Sequence, residues 1–380
     1  MINQIKICDP AVGSGHFLVS ALNEIIAIKN ELGTLVDKDG LQLKTDVEVV
    51  NDELMVTNED GIPFSYNANN KESRRIQETL FYEKQTIIKN CLFGVDINPN
   101  SVKICRLRLW IELLKNAYYR PLAPERGLKN GVTQAAAVPP LGIRGLETLP
   151  NIDINIKCGN CLISRFVLDA DLKEALKQSK CNIESHKLAV SAYRNSESKE
   201  QKKEMERLIS DIKSNFRSEI GTNDPKKLKL ENLKDELFNY TQQVGLFEKS
   251  IKEQTKWNKK VNVLGDAIKT LETEIDEIKS NKIYENAFEW RFEFPDVLND
   301  NRDFIGFDVV IGNPPCAVNF TQTEKKYLVN FDKDVADYEI YIYFTTFTTK
   351  ILGNNIYMSY IFLNTFLSTK FGKKYRDVII

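Results

Sequence analysis

Short apolar runs and longer runs with helical spacing alternate through the first part of the chain, a pattern typical of a parallel sheet covered by helices. Residues 5–9 form a brief apolar run that predicts a strand, and a glycine-bearing turn behind it opens a helix predicted to reach about Leu32. Residues 87–97 predict a second strand. Residues 101–118 have the spacing of a helix packed on the sheet, and alternation in 152–158 predicts a third strand.

Two segments interrupt this pattern. Residues 34–86 are polar and mixed, but β-type residues at 47–50 and 54–57 flank an Asn-Asp pair and predict a β-hairpin. Residues 120–145 are rich in Gly, Pro and Ala without a usable period, so we predict an inserted loop. We assign no chemistry to either segment.

From residue 169 to about 282 the composition shifts to Lys, Glu, Leu and Ile, with few Gly or Pro. Two sets of apolar residues there step by alternating fours and threes, which is the spacing of a helix–helix seam. Each set covers about two heptads, which favours a short antiparallel helical arm, with a third helix near 228–240, over a long coiled coil. The sets are Met205, Ile209, Ile212 and Phe216, and Leu264, Ile268, Leu271, Ile275 and Ile278.

Residues 307–312 are a β-branched apolar run that stops at a glycine and is followed by Asn313 and two prolines. This pattern predicts a buried strand that ends in a rigid turn. Ligands bind at the carboxyl ends of strands in open α/β sheets, and Pro314 and Pro315 fix the backbone so that the Asn313 side chain and the Pro314 carbonyl can point the same way. Two adjacent acceptors suit an exocyclic amino group.

Polar groups also follow the other predicted strands. Gly13 and Gly15 allow close backbone approach behind the first strand, and the helix N-terminus there presents free N–H groups to an anion, although Gly-x-Gly alone often marks only a tight turn. Asp96, near the end of the second strand, can accept both hydroxyls of a ribose. It can also be a helix N-terminal acid, since Pro99 can take the first helical position, and both roles can hold together. Asn160 follows the third strand, in a turn where Asn is common for local reasons.

Composition narrows the class of protein. A net charge of -1 over 380 residues with 28% charged residues does not describe a strongly basic nucleic-acid binder. The absence of a membrane-length apolar run and of an export signal leads us to expect a cytoplasmic protein with no membrane partner. The seven cysteines are expected as free thiols, and Cys158 and Cys161 lack the second pair that a zinc site needs, so we expect no metal.

The string Asp9-Pro-Ala-Val-Gly-Ser-Gly-His-Phe-Leu18 resembles motif I of the adenine-specific DNA methylases, which holds S-adenosylmethionine. Asn160 resembles the motif III residue that bonds the adenine amino group of the cofactor. Residues 313–315 resemble the Asn-Pro-Pro-aromatic motif, whose acceptors polarise the N6 amine of the target adenine. Residues 339–344, within a predicted helix that precedes a strand at 356–362, resemble motif V.

With the helical arm before the Asn-Pro-Pro turn, these motifs resemble the methylase domain of Eco57I-type restriction-modification enzymes. The resemblance implies direct methyl transfer to a flipped adenine in a specific site of duplex DNA. Cys316 departs from it, because an aromatic that would stack on the flipped base is expected there. The resemblance implies catalytic roles for Asn313, Pro314, Pro315 and Cys316, and cofactor binding by Asp9, Pro10, Gly13, Gly15, Phe17, Asp96, Ile97, Asn160 and Asn313.

The implied fold is α/β: a Rossmann-like S-adenosylmethionine-dependent methyltransferase sheet, incomplete at its C-terminal edge, with an inserted α-helical arm. We divide the chain into a first part of the methyltransferase core at 1–168, the helical insertion at 169–285 and a second part of the core at 286–380. A capping motif and a target-recognition domain of the family have no counterpart here. We therefore expect a methylase core cut from a larger protein, with double-stranded DNA and a separate recognition-domain chain as partners.

Three other functions stay open. The chain can be an inactive remnant or a subunit of such an enzyme. Pro-Pro-Cys also resembles the nucleophile motif of C5-cytosine methyltransferases, although Asn313 and the motif I string fit the amino class. Protein glutamine methyltransferases carry Asn-Pro-Pro-Tyr as well, but they lack the long helical insertion.

Overall fold

The structure is a computed structural model that describes residues 2–118, 151–164, 183–194, 199–222, 225–242, 251–280, 282–284, 286–299, 304–316, 320–331 and 340–361. The strands are β1 Ile7–Asp9, β2 Thr45–Val50, β3 Glu53–Asn58, β4 Leu92–Asp96, β5 Ile156–Cys158, β6 Phe307–Gly312 and β7 Leu352–Tyr360. The helices are α1 His16–Glu31, α2 Lys71–Asn90, α3 Pro99–Leu114, α4 Ile183–Arg194, α5 Lys199–Thr222, α6 Pro225–Gln242, α7 Ile251–Ser280, α8 Trp290–Glu293, α9 Gln322–Phe331 and α10 Ile340–Ile351.

Within the described residues, five strands form one sheet in the order β5-β4-β1-β6-β7, and each neighbouring pair is parallel. β1 is central because its short run Ile7–Asp9 is buried along its whole length. β4 lies on one side of β1 and β6 on the other, so the sheet has a topological switch point at β1. This is the α/β, Rossmann-like sheet that the sequence predicts.

Two hydrophobic clusters cover the sheet. One packs α1, α2 and α3 against it through fully buried aliphatic side chains such as Leu18, Leu22 and Leu80. The other is aromatic and is centred on Trp290, whose ring lies 4.9 Å from Phe288 and 5.8 Å from Phe307. Each large apolar side chain buried in this way contributes roughly 1.5–3 kcal/mol relative to exposure.

The predicted β-hairpin is confirmed. β2 and β3 pair antiparallel and are joined by a two-residue loop in which Asn51 and Asp52 have φ of 51° and 64°. Positive φ at both loop positions is the geometry of a type I′ turn, which Asn and Asp tolerate. The Asp52 carbonyl accepts a hydrogen bond from the buried Asn23 amide at 2.8 Å, which ties the hairpin to α1.

Four strand predictions were wrong in extent. β1 begins at Ile7 rather than at residue 5, and β7 spans Leu352–Tyr360 rather than 356–362. Residues 87–90, predicted as strand, are the last turn of α2, because Ile87 and Ile88 pack on the core from a helix. The third strand is confined to β5, since residues 152–155 turn, with the Asn155 N–H donating to the Ile152 carbonyl at 3.1 Å. The buried Asn155 side chain then donates to the carbonyls of Ile88, Lys89 and Leu92.

Helices do form in the predicted arm, including one over Pro225–Gln242 where we predicted the third. Of the two apolar sets, Ile209, Leu264 and Ile275 are buried, whereas the helix–helix seam itself stays a prediction. A further helix, α4, attaches the insertion to the sheet. Its last residue, Arg194, pairs with Asp296 at 2.6 Å and donates to the Asn155 side chain at 2.8 Å. The predicted loop at 120–145 lies outside the described residues.

Candidate functional site

The strand that ends at Asp9 leads into a tight turn at the carboxyl edge of the sheet. Asp9 is 1% exposed, and its Oδ1 atom accepts a hydrogen bond from the Ala11 N–H at 3.0 Å. Gly15 opens α1 in a left-handed conformation with φ of 83°, and a Cβ atom there would lie 2.6 Å from the Cys105 sulfur. Gly15 is therefore required twice, by its backbone angle and by the close approach of α3.

Asp96 closes this turn from the neighbouring strand β4. Its Oδ2 atom accepts from the Gly13 N–H at 2.9 Å, and its Oδ1 atom accepts from the Asn98 N–H at 2.7 Å. Pro99 stands in the first turn of α3, as predicted, so the acid does lie at a helix start. Ile97, the other predicted residue here, is 58% exposed.

Asn160 lies just beyond β5 in a turn that its own side chain stabilises. Its Oδ1 atom accepts from the Leu162 N–H at 3.2 Å, and its backbone N–H donates to the Asn286 carbonyl at 2.6 Å. The local role proposed for an Asn in this position is therefore confirmed. A contact between Asn160 and a cofactor stays a prediction.

Asn313 follows β6 and is exposed, whereas Pro314 beside it is buried. The Gly312 carbonyl accepts from the Ile361 N–H at 3.0 Å, which fixes the end of β6 against the segment after β7. The thiol of the half-buried Cys316 donates to the Pro314 carbonyl, with 3.8 Å between sulfur and oxygen. One of the two predicted amine acceptors thus already has a weak donor from its own loop.

Asp9 connects the turn after β1 with the turn after β6. A Cβ atom on Gly312 would lie 2.6 Å from Asp9 Oδ1, so only a glycine fits beside the carboxyl group. The other oxygen of Asp9, Oδ2, is buried and has no hydrogen-bond partner among the described residues. Burial, opposed by the Ala11 N–H and aided by the charge of Asp96, raises the pKa of Asp9 to about 7.

The profile of the Eco57I restriction-modification methylase family matches residues 90–380, well over half of the chain. The chain belongs to this family. It is also 27% identical over 396 residues to a protein of Methanocaldococcus jannaschii called "Putative type II restriction enzyme and methyltransferase RM.MjaORFECS2P". That match covers 96% of this chain and 26% of the archaeal protein, so the chain spans about a quarter of its relative's length.

Several predicted site residues of this methylase-family chain come together and others do not. The ends of β1, β4 and β6 bring Asp9, Gly13, Asp96 and the residue before Asn313 to one edge. Pro10 is buried, and Phe17 is half-buried in the first turn of α1. Of the motif V residues, Ile340, Tyr341 and Phe344 are buried in the aromatic cluster, and residue 339 lies outside the described part of the chain.

Sequence reasoning missed Tyr360, the last residue of β7. Its ring lies 3.5 Å from the position of a Cβ on Gly312, and its hydroxyl shares a hydrogen bond of 2.5 Å with Thr348. Burial raises the pKa of Tyr360. The signal that finds it is its place at the carboxyl end of a strand next to β6, where functional side chains gather in α/β sheets.

Two concave pockets of the described residues lie elsewhere. One of about 270 Å³ is lined by Asp37, Arg75 and Glu83, and one of about 280 Å³ by Phe64, Lys84 and other residues. No predicted site residue lines either. The described ranges contain no group of His, Cys, Asp and Glu placed to hold a metal ion, and none of their helices is long and apolar enough to cross a bilayer.

Proposed function

We propose that this chain is a DNA adenine N6-methyltransferase of a restriction-modification system that uses S-adenosylmethionine. The observation that carries the proposal is the contact between Asp9 and Gly312, which joins the glycine turn after β1 to the Asn313 turn after β6. A methyl donor and a target amine must meet at one point. Two turns that touch across adjacent strands supply that arrangement, and membership of a methylase family supports it.

The residues fit S-adenosylmethionine at three points. Gly15 removes the side chain that would crowd the start of α1, whose N–H groups suit the carboxylate of the amino acid part. Asp9 Oδ2 is a buried acceptor without a partner among the described residues, and it suits the ammonium group. Asp96 retains lone pairs on both oxygens for ribose hydroxyls, and Asn160 lies at the next strand end. When bound, the cofactor supplies an electrophilic methyl group.

Asn313 and the Pro314 carbonyl hold the target amine in this proposal. Asn313 is exposed at a strand end, so its side-chain oxygen can accept from an amino group that enters from solvent. The amine gains positive charge as it attacks, and fixed acceptor dipoles stabilise that charge in the transition state. The adenine must leave the duplex first, because its reacting atom cannot be reached inside the stack.

Duplex DNA and a separate recognition-domain chain are the partners we propose. The relative in Methanocaldococcus jannaschii is named as a restriction enzyme and methyltransferase, and this chain matches about a quarter of it. We infer that site selection belongs to a part outside the matched region. The methylase core then positions the base and the cofactor, whichever sequence is selected.

A weakened or inactive methylase is the second candidate, and Cys316 is the observation that favours it. The Cys316 side chain packs against the aromatic cluster and offers no ring on which a base could stack. Its thiol donates to the Pro314 carbonyl, so one of the two proposed amine acceptors is already occupied. The same contact disfavours a C5-cytosine nucleophile, since a thiol directed at its own loop is not directed at a ring carbon.

Transfer of tritiated methyl from S-adenosylmethionine to mixed duplex DNA tests the proposal. We expect label in N6-methyladenine after digestion of the DNA, and loss of that label in Asn313→Ala. Asn69→Ala, at an exposed loop position before α2, is the matched control and should retain transfer. Label in 5-methylcytosine or in a peptide would assign another reaction, and cofactor binding without transfer to any substrate would assign the inactive form.

A further inference from the structure

The helices α6 and α7 form an antiparallel pair within the arm. Lys234 pairs with Glu272 at 2.6 Å, and the rings of Tyr240 and Trp257 stack with 6.4 Å between centroids. The end of α7 at Ser280 precedes the segment that returns to the sheet, where Ala287 bridges to the residue beyond β5. With a rise of about 1.5 Å per residue, Trp257 lies roughly 35 Å along α7 from that end.

Charge is segregated along α7. Its first half, residues 251–263, contains four lysines and one glutamate, whereas residues 264–280 contain five acidic residues and two lysines. A helix with a merely solvated charged face carries interspersed signs, which stabilise it through pairs three and four residues apart. The separation makes the distant end of α7 positive and its end near Ser280 negative.

Aromatic side chains accompany the positive end. Lys256 and Lys259 are exposed and form no ion pair within the described residues. Lys260 lies on the same helix face, with its ammonium 4.5 Å above the Tyr240 ring and paired with Glu236 at 3.3 Å, so Lys256 and Lys259 are the two charges left for a partner. Phe238 is 62% exposed on the adjacent helix. We call this surface the arm tip; it consists of Phe238, Tyr240, Lys256, Trp257, Lys259 and Lys260.

We propose that the arm tip binds the phosphate backbone of duplex DNA outside the base pairs at the methylation site, an inference that rests on the proposed function. Lysines on one helix face suit phosphates, and a helix length of about 35 Å from Ser280 is enough to reach phosphates roughly one DNA turn of 34–36 Å from the base of the arm. Symmetric pairing with the arm tip of a second copy fits less well, because two lysine faces would repel each other. The arm therefore adds sequence-independent affinity beyond the target site.

The test uses the full chain and fluorescence anisotropy with duplexes of 12 and 30 base pairs over a series of salt concentrations. The variant Lys256→Glu/Lys259→Glu reverses two charges at the arm tip. Lys229→Glu/Lys269→Glu changes the net charge equally at exposed positions nearer the sheet and is the matched control. For the tip variant we expect at least about tenfold weaker binding of the long duplex. The slope of log K against log salt should fall by about 2, and binding of the short duplex should be unchanged.

Equal weakening by both variants, or equal weakening on both duplexes, would overturn the arm-tip site and leave only a general charge effect. A change from dimer to monomer in the tip variant alone would assign the surface to a second copy instead. Methyl transfer is measured in parallel to separate the two proposals. If the tip variant binds both duplexes as the original protein does and still methylates adenine, only the arm-tip proposal is contradicted. If the tip variant loses affinity for the long duplex alone but the protein methylates cytosine or a peptide, only the proposed function is contradicted.

Discussion

Replacing Asp9 by Asn should stabilise the folded protein at neutral and alkaline pH. The carboxyl group is 1% exposed, and burial raises its pKa to about 7 from an ordinary value of 3.8. Between these two values the unfolded chain has lost the proton and the folded chain still holds it, so the folded state loses stability as pH rises. Above about pH 7 the folded state contains an ionised, buried carboxylate with one oxygen lacking a partner among the described residues.

The magnitude follows from the difference between the two pKa values. Each unit of difference corresponds to 1.36 kcal/mol, so the stability lost between about pH 4 and pH 7 amounts to about 4 kcal/mol. The Asn side chain cannot ionise, and its oxygen can still accept the hydrogen bond from the Ala11 N–H. The free energy of unfolding of Asp9→Asn should therefore lack this decline, and the two proteins should differ by a constant amount above about pH 8.

Urea unfolding without cofactor, measured from pH 4 to pH 9, gives this difference directly, because contributions of all other titrating groups cancel between the two proteins. Asp60→Asn, an exposed acid of the loop after β3, is the matched control and should follow the original protein. Parallel curves for Asp9→Asn and the original protein would refute the reasoning. The affinity for S-adenosylmethionine should change with pH in the opposite direction. In the original protein it should rise as pH passes about 7, because the ionised Asp9 carboxylate attracts the cationic cofactor, and in Asp9→Asn this rise should be absent.

Three further substitutions test the remaining parts of the site. Cys316→Tyr should restore a base stack worth about 1–3 kcal/mol and so raise the rate of adenine methylation roughly 5- to 150-fold, with the affinity for the cofactor unchanged. If this variant instead loses an activity that forms 5-methylcytosine, the Cys316 thiol is a nucleophile. Asp96→Ala should weaken cofactor binding in calorimetry, and equal binding would exclude the ribose contact. Gly15→Ala should lower the melting temperature more than Gly61→Ala, because both have positive φ but only Gly15 meets Cys105, and Cys105→Ala should recover part of that loss.

The fold was predictable where residue spacing and turn residues agree. β6 ends at Gly312 as predicted because a β-branched run and a proline turn give the same boundary. The boundary between α2 and β4 was not predictable. The apolar run from Ile87 onward fits a buried helix end as well as a strand, and only its packing against the rest of the fold distinguishes the two structures. α2 itself begins at a cap that polar sequence obscures, with the Asn70 side chain accepting from the Ser73 N–H at 3.0 Å.

The candidate site was predictable where each of its polar side chains lies at the carboxyl end of a strand. Asp9, Asp96 and Asn313 each follow a strand that the sequence indicates, and parallel strands bring their carboxyl ends to one edge. Contacts between distant segments were not predictable. The Arg194–Asp296 pair, which attaches α4 to the core, joins residues about a hundred positions apart, and neither residue carries a local signal of the other.

Sheet order explains how a long helical insertion can coexist with a site that depends on close contacts. β5 lies at one edge of the sheet and β6 lies beyond β1, so the chain must cross the sheet between them, and α4 to α7 lie within that crossing segment. The insertion is attached through Arg194 to Asp296 and Asn155, away from the contact between Asp9 and Gly312. β1 pairs directly with β6, and this pairing brings Gly312 close to Asp9. The DNA contact proposed for the arm therefore involves neither of the two turns where methyl transfer is proposed.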